Sequence, residues 1–122
     1  MLKQLCAGRI AFGGIAILAP ARFGRGWVGK DANSDGFGVF ARAFGIRDLG
    51  LGAGTFAALR GGGDLRTWLM VGLACDAVDL GATLAARDRL PRHAVPMLAL
   101  MAGSAIVTQA LNLAAGDDQP QA

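Results

Sequence analysis

Apolar residues in this chain do not recur at a period of two. They gather into four long runs separated by three short polar breaks. The first run, Leu5 to Ala19, reads LCAGRIAFGGIAILA and stops at Pro20, which cannot continue a helix without losing a hydrogen bond. Residues 20–35, PARFGRGWVGKDANSD, form a polar connection rich in glycine and charge, with Trp27 where an aromatic side chain would meet lipid headgroups. The second run extends from Gly36 to Arg60 and carries Arg47 and Asp48 near its centre. Ser34 or Asp35 offers it a cap, and Gly61-Gly62-Gly63 ends it in a tight turn. Asp64 caps a third run, Leu65 to Ala86, which has Trp68 near its start and Asp76 and Asp79 inside. After the basic connection RDRLPRH at 87–93 comes the fourth run, Ala94 to Ala115, apolar apart from Ser104, Thr108, Gln109 and Asn112. The tail GDDQPQA is polar and reads as disordered.

This pattern predicts an all-α protein: one membrane-embedded four-helix bundle, up-down-up-down, over residues 1–116. Its spans fall at about 5–20, 36–60, 65–86 and 94–115, with a polar tail at 117–122. The first run is short for a span and has a second reading. Met1 to Ala21 would serve as a cleaved signal peptide, with Lys3 and Arg9 as its basic start, Ile10 to Leu18 as its apolar centre and Ala19-Pro20-Ala21 as its cleavage site. Its glycine-rich centre is weak, and removing it leaves an odd number of helices, so a retained first helix is preferred.

Composition agrees with a lipid solvent. Charged residues make up 17% of the chain, against about 25% in ordinary soluble domains, and the mean hydropathy is +0.43. A pI near 9.5 would suggest nucleic acid if the basic residues formed a patch on a polar domain, but here they fall between the apolar runs. Four helices place Lys3, Arg60 and Arg66 on one side and Arg22, Arg25, Lys30, Arg87, Arg89 and Arg92 on the other. The positive-inside rule then turns the second group to the cytoplasm and both termini outward. Cys6 and Cys75 lie at different depths, so a disulfide is not expected. They read as small buried hydrophobes, and no spacing suggests a metal site or a cofactor.

The charges inside the runs are the central problem. Two aspartates in the third helix cost about 5–7 kcal/mol on an insertion scale, while its Leu, Val and Met residues return about 2–4 kcal/mol. It therefore needs a partner that arrives with it, and the tight hairpin to the second helix supplies one. At about 1.5 Å per residue from the turn, Arg47 lies about 18 Å deep, Asp76 about 15 Å and Asp79 about 20 Å. Asp76 and Asp79, spaced i and i+3, share a face with Gly72 and Thr83, and the Arg47 guanidinium is expected to bridge both carboxylates. Arg9 and Arg42 complete a set of three positive charges against Asp48, Asp76 and Asp79. Left uncompensated, six such charges would cost about 15–20 kcal/mol, more than a small protein's stability. Arg42, nearer its helix end, has the alternative of snorkelling.

Small residues mark where helices approach closely. Gly50 and Gly54 form a GxxxG pair, Gly45 and Gly52 flank the charged centre, and Gly72 sits on the aspartate face. Gly13-Gly14 thins the first helix, and Ala99 with Gly103 thins the fourth.

Three features together resemble a bacterial family of small four-span membrane proteins of unknown function. Arg9 and Gly13 precede the helix-closing Pro20; ARAFGIRDLGLG follows at 41–52; and a helix beginning near Trp68 carries Asp76 and Asp79. The most specific part is the spacing of Arg42, Gly45, Arg47, Asp48 and Gly52. The resemblance implies a multi-pass architecture in a bacterial cytoplasmic membrane and singles out Arg47 and Asp48, but brings no activity.

Two functions of different class fit these residues. In the first, the Arg/Asp cluster is a structural ion network in a non-enzymatic scaffold or accessory subunit, whose glycine face meets a second copy or a larger membrane complex. In the second, the same cluster is a proton or ligand site in a small proton-coupled transporter or ligand-binding membrane protein. A membrane enzyme ranks third, because no nucleophile-and-base arrangement is present. His93 sits among basic residues rather than acids, and Gly61 to Gly63 lacks the lysine and hydroxyl of a phosphate loop.

Overall fold

The computed structural model describes residues 1–117, all of it helix, turn or short connection, with no strand among the described residues. The expected tail beyond Asp117 lies outside them. Among the described residues there are five α-helices rather than four: α1 (Leu2–Leu18), α2 (Pro20–Val28), α3 (Asp35–Leu59), α4 (Leu65–Ala85) and α5 (Ala94–Asp117). Short 3-10 turns at Gly29–Asn33 and Arg87–Arg89 complete the connections.

The extra helix lies within residues 20–35, which the sequence presents only as a polar connection. Pro20 ends α1, but its fixed φ and missing N–H suit the first turn of a new helix, where that donor is unused anyway. The chain bends by 107° at this break. The helix that follows is amphipathic, with Gly24 buried and Arg22 and Arg25 exposed.

The other boundaries follow local chemistry. The Ser34 hydroxyl accepts the Phe37 N–H at 3.1 Å and caps α3. At the far end of α3, Gly61 takes a φ of 88°, and the Gly61 and Gly62 amides donate to the Ala58 and Ala57 carbonyls. This is a Schellman closure, and the left-handed position calls for glycine. Asp64 then caps α4 by accepting the Thr67 N–H at 3.3 Å.

Helix packing runs along narrow seams of small residues. The buried positions of α1 are Cys6, Arg9, Gly13 and Ala16, alternating by three and four. Those of α3 include Gly38, Ala41, Gly45, Asp48, Gly52 and Thr55, in the same heptad rhythm. A Cβ on Gly13 would strike the Gly45 carbonyl oxygen, one on Gly45 would lie 2.7 Å from the Gly13 oxygen, and one on Gly52 would lie 2.8 Å from the Cys6 oxygen. Pairing 13 with 45 and 6 with 52 makes α1 and α3 antiparallel, with backbones nearly touching. Gly54 is occupied by the Trp68 ring of α4, and Gly72 by Gln109 of α5. Gly50 meets nothing within 4 Å, nor do Gly14 and Gly103. The close face of α3 is therefore the Gly45–Gly52 heptad seam, and the Gly50–Gly54 pair is split between open space and Trp68.

Large apolar side chains point outward instead. Phe40 is 76% exposed and Leu100 74%, and Val39, Ile46, Val78 and Leu111 are also exposed. By length and composition α4 and α5 can cross a membrane, and α1 with the segment after Pro20 makes a third such unit if the bent pair counts as one. The expected second span, α3, does not qualify on composition, because Arg42, Arg47 and Asp48 lie together in its middle.

Candidate functional site

The seams of α1, α3, α4 and α5 each place a polar residue at the same level: Arg9, Asp48, Asp76 and Gln109. Arg9 is the hub. It is 7% exposed, and one terminal nitrogen donates to Asp48 Oδ1 at 2.6 Å while the other donates to Asp76 Oδ2. The latter nitrogen also lies 3.5 Å from Gln109 Oε1. Gln109, only 2% exposed, donates from Nε2 to Asp76 Oδ2 at 2.7 Å and to the Ala105 carbonyl of its own helix at 3.0 Å. One guanidinium fork thus connects residues from four helices, a geometry suited to a planar group with fixed donors.

Arg47 occupies a different place from the one its depth implied. It pairs with Asp79 alone, through two hydrogen bonds of 3.2 and 2.5 Å, and does not reach Asp76. Although i and i+3 on α4, the two carboxylates are divided between two arginines. Arg47 lies one position before the seam residue Asp48, so its side chain leaves α3 about 100° around the helix from it. Its side chain is 31% exposed and its guanidinium stacks over Phe44 at 4.3 Å. The Arg47 Nε is buried without a hydrogen-bond partner. Arg42 stands outside both groups: it is exposed and donates only to the Gly38 carbonyl one turn earlier, at 3.4 Å. It does not join the network expected of it.

Phe44 belongs to an aromatic cluster that the sequence reading did not assemble. Phe23 of α2 meets Phe44 at 5.4 Å and Phe12 of α1 at 6.0 Å, and Trp27 packs edge-on to Phe44 at 5.5 Å. The signal available was the i, i+3 spacing of Phe44 and Arg47 on one helix. The Trp27 indole N–H donates to Thr83 Oγ1 at 3.0 Å and fastens α2 to α4. Between α2 and α3 an apolar hollow of about 260 Å³ opens outward, lined by residues including Phe23, Trp27, Phe37, Phe40 and Phe44. Asn112 turns back on its own helix to the Thr108 carbonyl. Cys6 is buried, Cys75 half-buried, and both are free thiols. Among the described residues no group of three or more His, Cys, Asp or Glu side chains is placed to hold a metal ion.

No family model matches the chain, and neither the curated proteins nor the solved structures contain a match.

Proposed function

We propose that this chain is a small multi-pass protein of a bacterial cytoplasmic membrane. In this reading α1, α3, α4 and α5 form a four-span up-down-up-down bundle that acts as a non-enzymatic scaffold or accessory subunit. The observation that carries the reading is the inverted polarity of the bundle. Its interior holds Arg9, Asp48, Asp76 and Gln109 among alanines and glycines, while Phe40, Leu100 and other large apolar side chains face outward. In water that arrangement exposes the wrong surface; in lipid it satisfies both faces. It also gives α3 a route into the bilayer despite its charges, because Asp79 pairs with Arg47 and the Arg9 fork offsets Asp48 together with Asp76. The Arg9 hub then fixes helix register, for which a buried polar group is a suitable device. On the outer side of α3, open Gly50 with exposed Ala53 and Ala57 leaves a thin strip against which another membrane helix fits.

A second reading, a small proton-coupled transporter or ligand-binding protein, draws on one specific feature. The Arg47–Asp79 pair is part-exposed and stacked on Phe44, which also lines the apolar hollow. Purified protein reconstituted into liposomes separates the two. The scaffold reading expects no proton or solute flux above empty vesicles, together with lost folding in Asp76→Asn. Flux in the wild-type protein that changes in a well-folded Asp79→Asn variant would establish the carrier instead.

A further inference from the structure

The two connections at one end of the bundle are far apart in sequence and together in space. Arg22 and Arg25 lie on α2 and Lys30 in the turn after it; Arg87, Arg89 and Arg92 lie between α4 and α5. A Cβ on Gly26 would stand 3.5 Å from Met97 Sδ and 3.9 Å from His93 Nε2, and one on Gly29 would stand 3.4 Å from Pro91 Cγ. The α2 segment therefore rests on the connection that leads into α5. All six basic side chains are exposed, and among the described residues none is held in an ion pair. Asp31, Asp35 and Asp88 are the acids at this end, so positive charge is in clear excess.

The platform is built rather than incidental. Since α2 turns 107° from α1, it lies near the membrane plane wherever α1 crosses. Its aromatic side is pinned inward by the Trp27–Thr83 hydrogen bond and the Phe23–Phe44 contact. Its basic side is thereby directed away from the bundle, the disposition of an amphipathic helix at a lipid surface.

We propose that these six basic residues form one headgroup-binding surface that selects anionic phospholipids in the leaflet it faces. The proposal rests on the membrane reading above. A delocalised lipid phosphate suits it better than a single small anion, because the charges are spread over two segments and only Arg87 is tied to the backbone, by one hydrogen bond to the Leu84 carbonyl at 3.1 Å.

The test uses the full chain purified in a neutral detergent, offered equimolar phosphatidylglycerol and phosphatidylcholine, with retained lipid counted by native mass spectrometry. The wild-type protein should retain phosphatidylglycerol in preference. Arg22→Gln/Arg25→Gln/Lys30→Gln and Arg87→Gln/Arg89→Gln/Arg92→Gln should each reduce that preference, by about five-fold for every basic residue removed. Lys3→Gln/Arg60→Gln, at the opposite end, should leave it unchanged. Equal retention of the two lipids, an equal loss from the Lys3/Arg60 variant, or displacement of the lipid by a short RNA would overturn the proposal. Alkaline carbonate washing of cell membranes separates the layers of inference. A protein that resists extraction but shows no lipid preference removes this proposal alone, whereas a protein released by the wash removes the membrane reading as well.

Discussion

Arg9 and Arg47 are the same residue type at comparable depth in one bundle, yet they do different work. Arg9 sits on a seam, is nearly sealed from solvent, and divides its fork between Asp48 and Asp76 on different helices. Arg47 sits off the seam, spends its fork on Asp79, and rests its flat face on Phe44. The difference shows that position around a helix, more than distance along it, decides whether a charge becomes a hub or a clasp. A hub leaves several partners stranded when it is lost. A clasp leaves one, and that one is less deeply buried.

The largest expected effect follows from removing the hub. Arg9→Met leaves Asp48 and Asp76 buried without their counter-ion, and breaking a buried pair in this way costs about 3–5 kcal/mol. Unfolding by dodecyl sulfate, followed by circular dichroism, should show a midpoint far below that of the wild-type protein. Adding Asp48→Asn and Asp76→Asn to Arg9→Met should recover most of the loss, since neutral amides remove the stranded charges while keeping hydrogen-bonding groups beside Gln109. No recovery would mean that Arg9 acts through shape rather than charge.

Next in size is the seam that allows α1 to bring Arg9 so close. Gly45→Ala places a methyl against the Gly13 carbonyl oxygen and Ala16 of α1, backbone and short side chain with little freedom to move. Overpacking of that kind costs about 1–3 kcal/mol. Gly50→Ala, five residues further along α3 on the open side, should be neutral or slightly stabilising because alanine favours helix by nearly 1 kcal/mol. The same denaturation series reads both. Equal losses at the two positions would refute the assignment of the close face.

How much of this was legible in the chain divides along the same line. Four long apolar runs, their caps at Ser34 and Asp64 and the glycine stop after Arg60 are local signals, and the helices begin and end close to where those signals lie. Position along the α3–α4 hairpin was legible as far as bringing Arg47 level with Asp79, since rise per residue is fixed. Azimuth entered only for Asp76 and Asp79 on α4, although the heptad rhythm of Cys6, Arg9, Gly13 and Ala16 carried it for α1. Those residues are small or charged rather than apolar, so the usual amphipathic pattern is absent and the seam does not announce itself as a core. The bent α2 was hidden for a related reason. Pro20 and two glycines read as loop-formers, and the helix is held by Phe23 and Trp27 reaching α3 and α4, contacts that no local pattern records.

Removing the clasp should cost less than removing the hub. Arg47→Gln loses an interhelical ion pair and a cation–π contact but keeps an amide that can donate to Asp79, at a cost of about 1–2 kcal/mol. Arg47→Lys should recover only part of this, because an ammonium keeps the charge beside Asp79 but neither the two-pronged bond nor the flat stacking surface. If Arg47→Gln proves as damaging as Arg9→Met, the distinction between hub and clasp fails.

Asp64 supplies the lower bound, an aspartate at the start of α4 with no burial at all. The Thr67 hydroxyl and then the Thr67 N–H donate to its carboxylate and hold its pKa below the usual carboxylate range. Because the folded pKa is depressed, the charged cap contributes stability above the unfolded carboxylate pKa. That contribution is lost as pH falls through the lower, folded value. Asp64→Asn keeps an acceptor for the Thr67 N–H but carries no charge at any pH. Thermal melts of the two proteins should therefore differ slightly at neutral pH, by less than any variant above, and converge in acid. A gap that persists unchanged at low pH would assign the Asp64 effect to shape, leaving the charge at this exposed end of α4 without a part in fixing the helix.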